Sequence, residues 1–237
     1  ELILCCVVGD HESILLEEGV MARIGIVFHS STGYTRLLAD AVAEGAAGAG
    51  PGAEVVPLEV QGEHISRGRY DNEPLLAALD GCDAIVFGTP TYMGSVSGQM
   101  KAFLDACLSR WYERAWSGKL AAAFTVSSTP SGDKLNALMD LFVFSMQMGM
   151  VWVGQDESPL SDSGGNRLGI NIGAAAQPDY EAESPALMTG DAEGGVRLGA
   201  RVAGLAEQLA RQASRQVYRG SFSSVTRNAS RSLIRPR

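Results

Sequence analysis

The sequence RIGIVFHSSTGYT occupies residues 23–35 and decides the fold class. Its first six residues form a short apolar run, which is typical of a buried parallel strand. Four serine and threonine side chains and a glycine follow, and residues 34–47 then repeat apolar side chains on one helical face. A strand that passes through a short turn into a helix predicts the start of an α/β domain.

Strand-like and helix-like segments alternate along the rest of the chain. Further strands are predicted at residues 54–58, 83–88, 120–126 and 150–153, and helices at 75–79, 98–108, 133–147 and 195–214. Pro57 indicates that the second strand lies at an edge, because proline cannot donate to a sheet ladder. The alternation predicts a doubly wound parallel sheet of five strands with helices on both faces.

Three loops at strand ends are the candidate ligand site, because such sheets bind ligands beyond the carboxyl ends of their strands. Loop 1 (residues 29–35) offers hydroxyl groups at a helix start, which suits a phosphate. It has neither a lysine nor a G-x-G-x-x-G pattern, so a nucleoside triphosphate or a dinucleotide is not indicated. Loop 2 (residues 88–97) and loop 3 (residues 127–133) combine glycine, proline and hydroxyl residues. Helix capping explains loops 2 and 3 taken singly; the three loops together predict a phosphorylated, flat ligand.

The charge distribution argues against nucleic-acid binding by the main domain. The formal net charge is −8, although six arginines and no acidic residue lie beyond residue 212. The remainder of the chain is therefore more acidic than the total suggests, and it would repel phosphates. No apolar run approaches the ~20 residues that a membrane span needs.

The four cysteines lack both metal-ligand spacing and the pattern of a disulfide framework. No metal site is predicted, and a reducing, cytoplasmic location is expected. Residues 1–20 are expected to be an extension upstream of a start at Met21. Residues 21–212 form the predicted domain. The glycine-rich residues 155–193, here called the cover segment, are an insertion within it, and residues 213–237 are a basic tail expected to be disordered.

Two loops carry a resemblance to a known family. Residues 30–35 resemble the flavodoxin phosphate loop, and GTPTYMGSVSGQMKAFLD at residues 88–105 resembles the WrbA-like NAD(P)H:quinone oxidoreductases and NADPH-dependent FMN reductases of the flavodoxin superfamily. The likeness covers roughly residues 21–212. It implies a flavodoxin-like sheet in the order 2-1-3-4-5, FMN as cofactor, NAD(P)H as electron donor and a quinone-like acceptor. It also implies a homo-oligomer, either a dimer or a tetramer.

The resemblance also assigns site residues by position. Those for the FMN phosphate are Ser30, Ser31, Thr32, Gly33, Tyr34 and Thr35. Those beside the isoalloxazine are Pro90, Thr91, Tyr92, Met93, Gly94 and Ser95, and those that close the other side of the flavin and ribityl chain are Ser127, Ser128, Thr129, Ser131, Gly132 and Asp133.

Two further candidates lie outside the loops. Trp111 matches a family tryptophan that lines the site, partly across a subunit interface, although it also fits a simple packing role. Met148 stands where relatives carry a histidine on the nicotinamide side of the flavin. A thioether can neither donate a strong hydrogen bond nor protonate a quinone.

Three functions therefore stay open. The cover segment and Trp111 favour an FMN-dependent NAD(P)H oxidoreductase. The acidic body suits a flavodoxin-type electron carrier that docks on basic partners. Met148 is compatible with an FMN-binding regulatory module that lacks robust turnover.

Overall fold

A computed structural model of the chain describes residues 21–50, 52–162 and 164–232, with side chains as far as Ser214. The predicted extension at residues 1–20 and nearly all side chains of the predicted basic tail lie outside these residues. None of the described helices combines the length and the apolar composition that a membrane crossing needs.

The central sheet has the predicted topology. Its strands are β1 (Ala22–Phe28), β2 (Ala53–Glu59), β3 (Ala84–Tyr92), β4 (Leu120–Val126), β5 (Val151–Trp152) and β6 (Ala174–Ala176). They are parallel and lie in the order β2-β1-β3-β4-β5, with β6 also paired to β4. The predicted order 2-1-3-4-5 is therefore confirmed, and Pro57 lies on the edge strand.

The fifth position of the sheet differs from the prediction because two separate pieces fill it. β5 pairs with Leu120 and Ala121, and β6 pairs with residues 124–126 of β4. The cover segment was predicted to be irregular, yet it contains β6 and a hairpin of Pro178–Asp179 with Ala186–Leu187. Three alanines have little intrinsic strand preference, so their burial against β4 and the last helix decides their conformation.

In the part of the chain that the structure describes, six helices cover the two faces of the sheet. They are α1 (Tyr34–Gly48), α2 (Glu73–Asp80), α3 (Gly98–Ala106), α4 (Leu108–Tyr112), α5 (Lys134–Gln147) and α6 (Asp191–Ser232). One apolar core lies beneath α1 and α6, and the other lies beneath α2, α3, α4 and α5. The predicted helix at 98–108 is thus two helices, and the last helix begins earlier and runs further than predicted. Residues 60–73, predicted as loop, contain a short 3₁₀ turn and a small hairpin.

Helices α1 and α6 approach so closely that glycines are needed at their contact. A Cβ atom on Gly45 would lie 1.8 Å from the carbonyl oxygen of Val196, and one on Gly199 would lie 2.0 Å from that of Val42. Both distances are far below van der Waals contact, and both neighbours are backbone. The helix pair is therefore packed backbone to backbone, with no room for any side chain at these two positions.

Candidate functional site

The structure brings the three predicted loops together at one rim of the sheet. The hydroxyl groups of Ser31 in loop 1 and Tyr92 in loop 2 are hydrogen-bonded to each other. On the other side, the Asn136 amide donates to the carbonyl of Gly94 at 2.7 Å, and a Cβ on Gly94 would lie 3.6 Å from that of Asp133. Loop 2 thus contacts both loop 1 and the start of α5.

Loop 1 leaves the start of α1 open. Gly33 is the N-cap residue with φ 90°, and as a glycine it has no side chain with which to cap the helix. Ser30 Oγ accepts a hydrogen bond from the amide of Arg36 at 3.2 Å, and a Cβ on Gly33 would have nothing within 4 Å. The serine hydroxyl thus takes one amide of the first turn, and a helix start with further amides and the exposed hydroxyls of Ser31 and Thr32 beside it is a good binding site for an anion.

Loop 2 is a tight hairpin whose tip is apolar and exposed. Thr91 pairs with Val96 and Tyr92 with Ser95. The two connecting residues, Met93 and Gly94, have φ values of 47° and 80°, as a two-residue hairpin with a primed turn requires. The Met93 side chain is fully exposed and that of Tyr92 is 42% exposed. Both apolar side chains are therefore available to cover a flat ring.

Hydrogen bonds to neighbouring elements hold loop 2 in place. Ser95 Oγ donates to Asp140 Oδ2 of α5 at 2.5 Å. The buried hydroxyl of Thr91 bonds to that of Thr125 in β4 at 2.8 Å. The Thr91 side chain thus joins two neighbouring strands of the sheet, and Pro90 lies buried in β3. Asp140 had no signal in the sequence, because an acidic residue in the middle of a helix normally faces solvent.

Loop 3 requires glycine at one position. Gly132 and Asp133 have φ values of 50° and 54°, and a Cβ on Gly132 would lie 2.1 Å from Ser127 Oγ. Asp133 is the N-cap of α5, but its side chain makes no capping hydrogen bond. The simple capping explanation of this loop therefore fails. The side chains of Ser128, Thr129 and Ser131 are exposed, as a loop that borders a ligand requires.

The cover segment contributes a residue that sequence reasoning missed. The Tyr180 hydroxyl lies 2.9 Å from Ser128 Oγ of loop 3, and its ring packs edge-on against Tyr34 with 5.9 Å between ring centroids. The Gln177 amide also donates to the carbonyl of Ser128 at 3.3 Å. Tyr180 therefore connects loop 1 with loop 3. It lies in a stretch without periodicity, so its position could not be inferred from the sequence.

A buried carboxylate anchors the cover segment. The Arg167 guanidinium donates to both oxygens of Asp191, at 2.9 and 2.8 Å, and the backbone amide of Gln177 donates to the same carboxylate at 2.8 Å. The hydrogen bond to Asp191 raises the pKa of Arg167. Because Asp191 is the first residue of α6, this pair fixes the middle of the cover segment to the start of that helix.

His29 is buried between loops 1 and 2. Its Nδ1 lies 2.9 Å from Ser97 Oγ, which accepts a hydrogen bond from the amide of Met100 at 3.2 Å. The Ser97 hydroxyl proton is then free to bond to Nδ1, which requires a neutral imidazole. Burial lowers the pKa of His29, and the charge of Glu59 opposes this effect.

We expect His29 to make the fold acid-sensitive. Its pKa lies below the unfolded value of 6.5, so the unfolded chain binds the proton more tightly. The stability that the neutral ring contributes is fully present above pH 6.5 and is lost as the pH falls through the lowered pKa. Chemical denaturation from pH 7.5 to 5 should show a smaller loss of unfolding free energy for His29→Gln than for the unmodified chain. His64→Gln is the control and should retain the loss; equal slopes for all three proteins would contradict the prediction.

The family model for NADPH-dependent FMN reductase matches residues 23–163, more than half of the chain and all three loops. The chain belongs to the NADPH-dependent FMN reductase family. The resemblance seen in loops 1 and 2 is thereby confirmed.

Relatives of this FMN reductase family member include a flavodoxin and several proteins named NAD(P)H dehydrogenase (quinone). Flavodoxin FldP of Pseudomonas aeruginosa is 34% identical over 80% of this chain and 99% of its own length. An NAD(P)H dehydrogenase (quinone) of Archaeoglobus fulgidus is 34% identical over 80% of this chain and its whole length. The crystal structure of a WrbA-like flavodoxin from Agrobacterium tumefaciens has a TM-score of 0.61 and 36% identity, and covers 79% of this chain and 98% of its own. These full-length matches confirm the flavodoxin-like fold.

In a single chain of this FMN reductase family member, Trp111 and Met148 lie away from the rim at which the three loops meet. Met148 follows the 14-residue α5, which begins at loop 3 and at 1.5 Å per residue spans about 20 Å. The neighbouring Gly149 accepts a hydrogen bond from Gly118, just before β4, at the amino edge of the sheet. Both candidates line a groove of about 870 Å³ between α3, α4 and α5, which reaches loop 2 at Ser95 and Val96.

Proposed function

We propose that the chain binds FMN non-covalently and uses it to transfer electrons from NAD(P)H to a quinone-like acceptor. The observation that carries the proposal is the meeting of three loops beside the start of α1, whose N-cap residue is a glycine. Membership of the FMN reductase family and the similarity to an NAD(P)H dehydrogenase (quinone) support it.

The described residues fit FMN in both charge and shape. The open start of α1 and the hydroxyls of loop 1 would hold the phosphate, which needs donors without a buried counter-charge. The apolar tip of loop 2 would cover one side of the isoalloxazine, and the exposed hydroxyls of loop 3 would face the other side and the ribityl chain. When bound, the flavin itself supplies the hydride and electron transfer. The chain binds, orients and shields it.

We propose that Trp111 and Met148 act on the flavin site of a second copy in a homo-oligomer, a dimer or tetramer. Exposed apolar side chains around Trp111 support this assembly, since Leu108 is 58% and Tyr112 72% exposed. Met148 is 2% exposed, so it would act by supporting the groove beside Trp111 from within, and it would supply no proton. We further propose a cytoplasmic location, supported by the free thiols of Cys82 and Cys107.

An electron carrier is the second candidate function. The similarity to flavodoxin FldP over nearly its whole length favours it, and so does the acidic body of the chain. A carrier would bind FMN through the same loops but would not oxidise NAD(P)H itself.

Two measurements separate these functions. We expect added FMN to give a bound-flavin absorbance spectrum and to lose fluorescence. We then expect NADH or NADPH to be oxidised in the presence of benzoquinone, with a rate well above that of the same concentration of free FMN. Bound FMN without such turnover would support the carrier, whereas FMN that stays fully fluorescent would contradict both functions.

A further inference from the structure

Lys134 is a buried cation directly behind loop 3. It is one of three lysines in the chain and is 0% exposed. Its Nζ donates to the carbonyl of Thr129 at 2.5 Å and to that of Pro130 at 3.3 Å. Burying an ammonium group is costly, so a lysine at this position needs a reason beyond packing.

The hydrogen bonds of Lys134 fix the direction of the loop 3 peptides. In a trans peptide the N–H points away from the C=O of the same unit. Because the Pro130 carbonyl points inward to Lys134, the amide N–H of Ser131 points to the opposite, exposed side of the loop. Thr129, Pro130 and Ser131 are all exposed. Lys134 thus holds the carbonyls of Thr129 and Pro130 away from the ligand side of the loop, and the amide of Ser131 faces that side.

The charge of Lys134 is only partly compensated. Two charged groups of neighbouring elements face it, Asp191 of α6 and Arg167 of the cover segment, and Asp133 precedes it in the chain. Asp191 is already bonded to Arg167 and accepts the amide of Gln177. Burial lowers the pKa of Lys134 to about 8, with Asp191 opposing this shift and Arg167 adding to it.

We propose that Lys134 is a positioning residue for FMN: its charged ammonium holds the Thr129 and Pro130 carbonyls inward and so presents the amide of Ser131 to the flavin. The inference rests on the proposed FMN site and adds a requirement for charge behind loop 3. Removal of the side chain should release the two carbonyls, and deprotonation should weaken the hydrogen bonds to them because a neutral amine is the poorer donor, so both changes should weaken FMN binding.

The test is the dissociation constant of FMN, measured by quenching of its fluorescence between pH 7 and 9. We expect Lys134→Met to raise it about tenfold at pH 7, because a charged donor to two carbonyls is lost. The dissociation constant of the unmodified chain should rise toward pH 9 but stay below that of this variant, because a neutral amine still donates weakly, and the variant itself should show little pH dependence. Lys134→Arg stays charged and should bind nearly equally at both pH values. Lys101→Met removes an exposed lysine of α3 and is the matched control.

The outcomes are distinct. Equal affinity of Lys134→Met and Lys101→Met at pH 7, or the same pH dependence in both, would overturn the proposal. If Lys134→Met does not fold, the test is the pH dependence of FMN binding by the unmodified chain and by Lys134→Arg. A pH dependence that arginine removes supports the proposal, and a flat profile in the unmodified chain refutes it. If the unmodified chain binds no FMN at any pH, the proposed function itself is wrong.

Discussion

Replacing Gly199 with alanine is expected to lower the free energy of unfolding by about 3 kcal/mol or more. The added methyl group would lie 2.0 Å from the Val42 carbonyl oxygen and 2.9 Å from the amide nitrogen of Ala46. Neither backbone atom can move without separating α1 from α6, which would open the apolar core beneath them. Denaturant unfolding monitored by circular dichroism measures the effect.

Gly204 provides a matched control on the same helix. A Cβ at this position meets nothing within 4 Å, so Gly204→Ala undergoes the same chemical change without the clash. It should be neutral or stabilise the protein by about 0.5–1 kcal/mol, because alanine is the better helix former. If both variants have the same stability, α1 and α6 are not in backbone contact in solution.

Replacing Thr32 with aspartate is expected to raise the dissociation constant of FMN about 100-fold while leaving that of riboflavin within about threefold. Thr32 is exposed in loop 1, next to the open start of α1. A carboxylate there would repel the FMN phosphate and compete for the same amide groups. Riboflavin lacks the phosphate, so its binding reports the intact ring site. Fluorescence titration with both flavins measures the two constants.

Ser117→Asp is the control for added charge. It introduces the same carboxylate at the amino edge of the sheet, just before β4, and should change neither constant by more than about twofold. If Thr32→Asp weakens FMN and riboflavin equally, loop 1 does not bind the phosphate. If it weakens neither, the flavin binds elsewhere.

The strands of the sheet could be predicted because each of them is a continuous stretch of sequence with its own apolar pattern. The apolar run at residues 23–28 and the strand at 120–126 each lie on continuous stretches with turn residues at their ends. Pro57 identified the edge strand because proline has no backbone N–H to donate to a neighbouring strand. The convergence of the three loops was predictable too, since the carboxyl ends of parallel strands share one rim.

Contacts between distant residues could not be predicted in this way. Tyr180 reaches Ser128 across 52 residues and Asp140 reaches Ser95 across 45, with no pattern around either residue. Lys134 looked like an ordinary first-turn lysine, and only the folded loop shows it buried. Met148 was linked to the flavin by resemblance, yet the direction of α5 places it at the opposite edge of its own sheet.

The division of the fifth strand into β5 and β6 creates a position at which the chain can accept inserted residues. The chain leaves β4 opposite Ala121 and returns opposite Phe124, so the two anchor points are about 10 Å apart. The Trp152 indole donates to the Ile172 carbonyl at 2.9 Å, and the Gln155 amide to that of Asn171 at 2.8 Å, which closes the base of the excursion. Closing a longer loop adds little entropic cost. The loop between these two hydrogen bonds, residues 156–170, can therefore change in length or sequence without a change in the sheet. A different loop could therefore be grafted here without disturbing the rim that carries loops 1 to 3, provided that Arg167 and its bonds to Asp191 are kept.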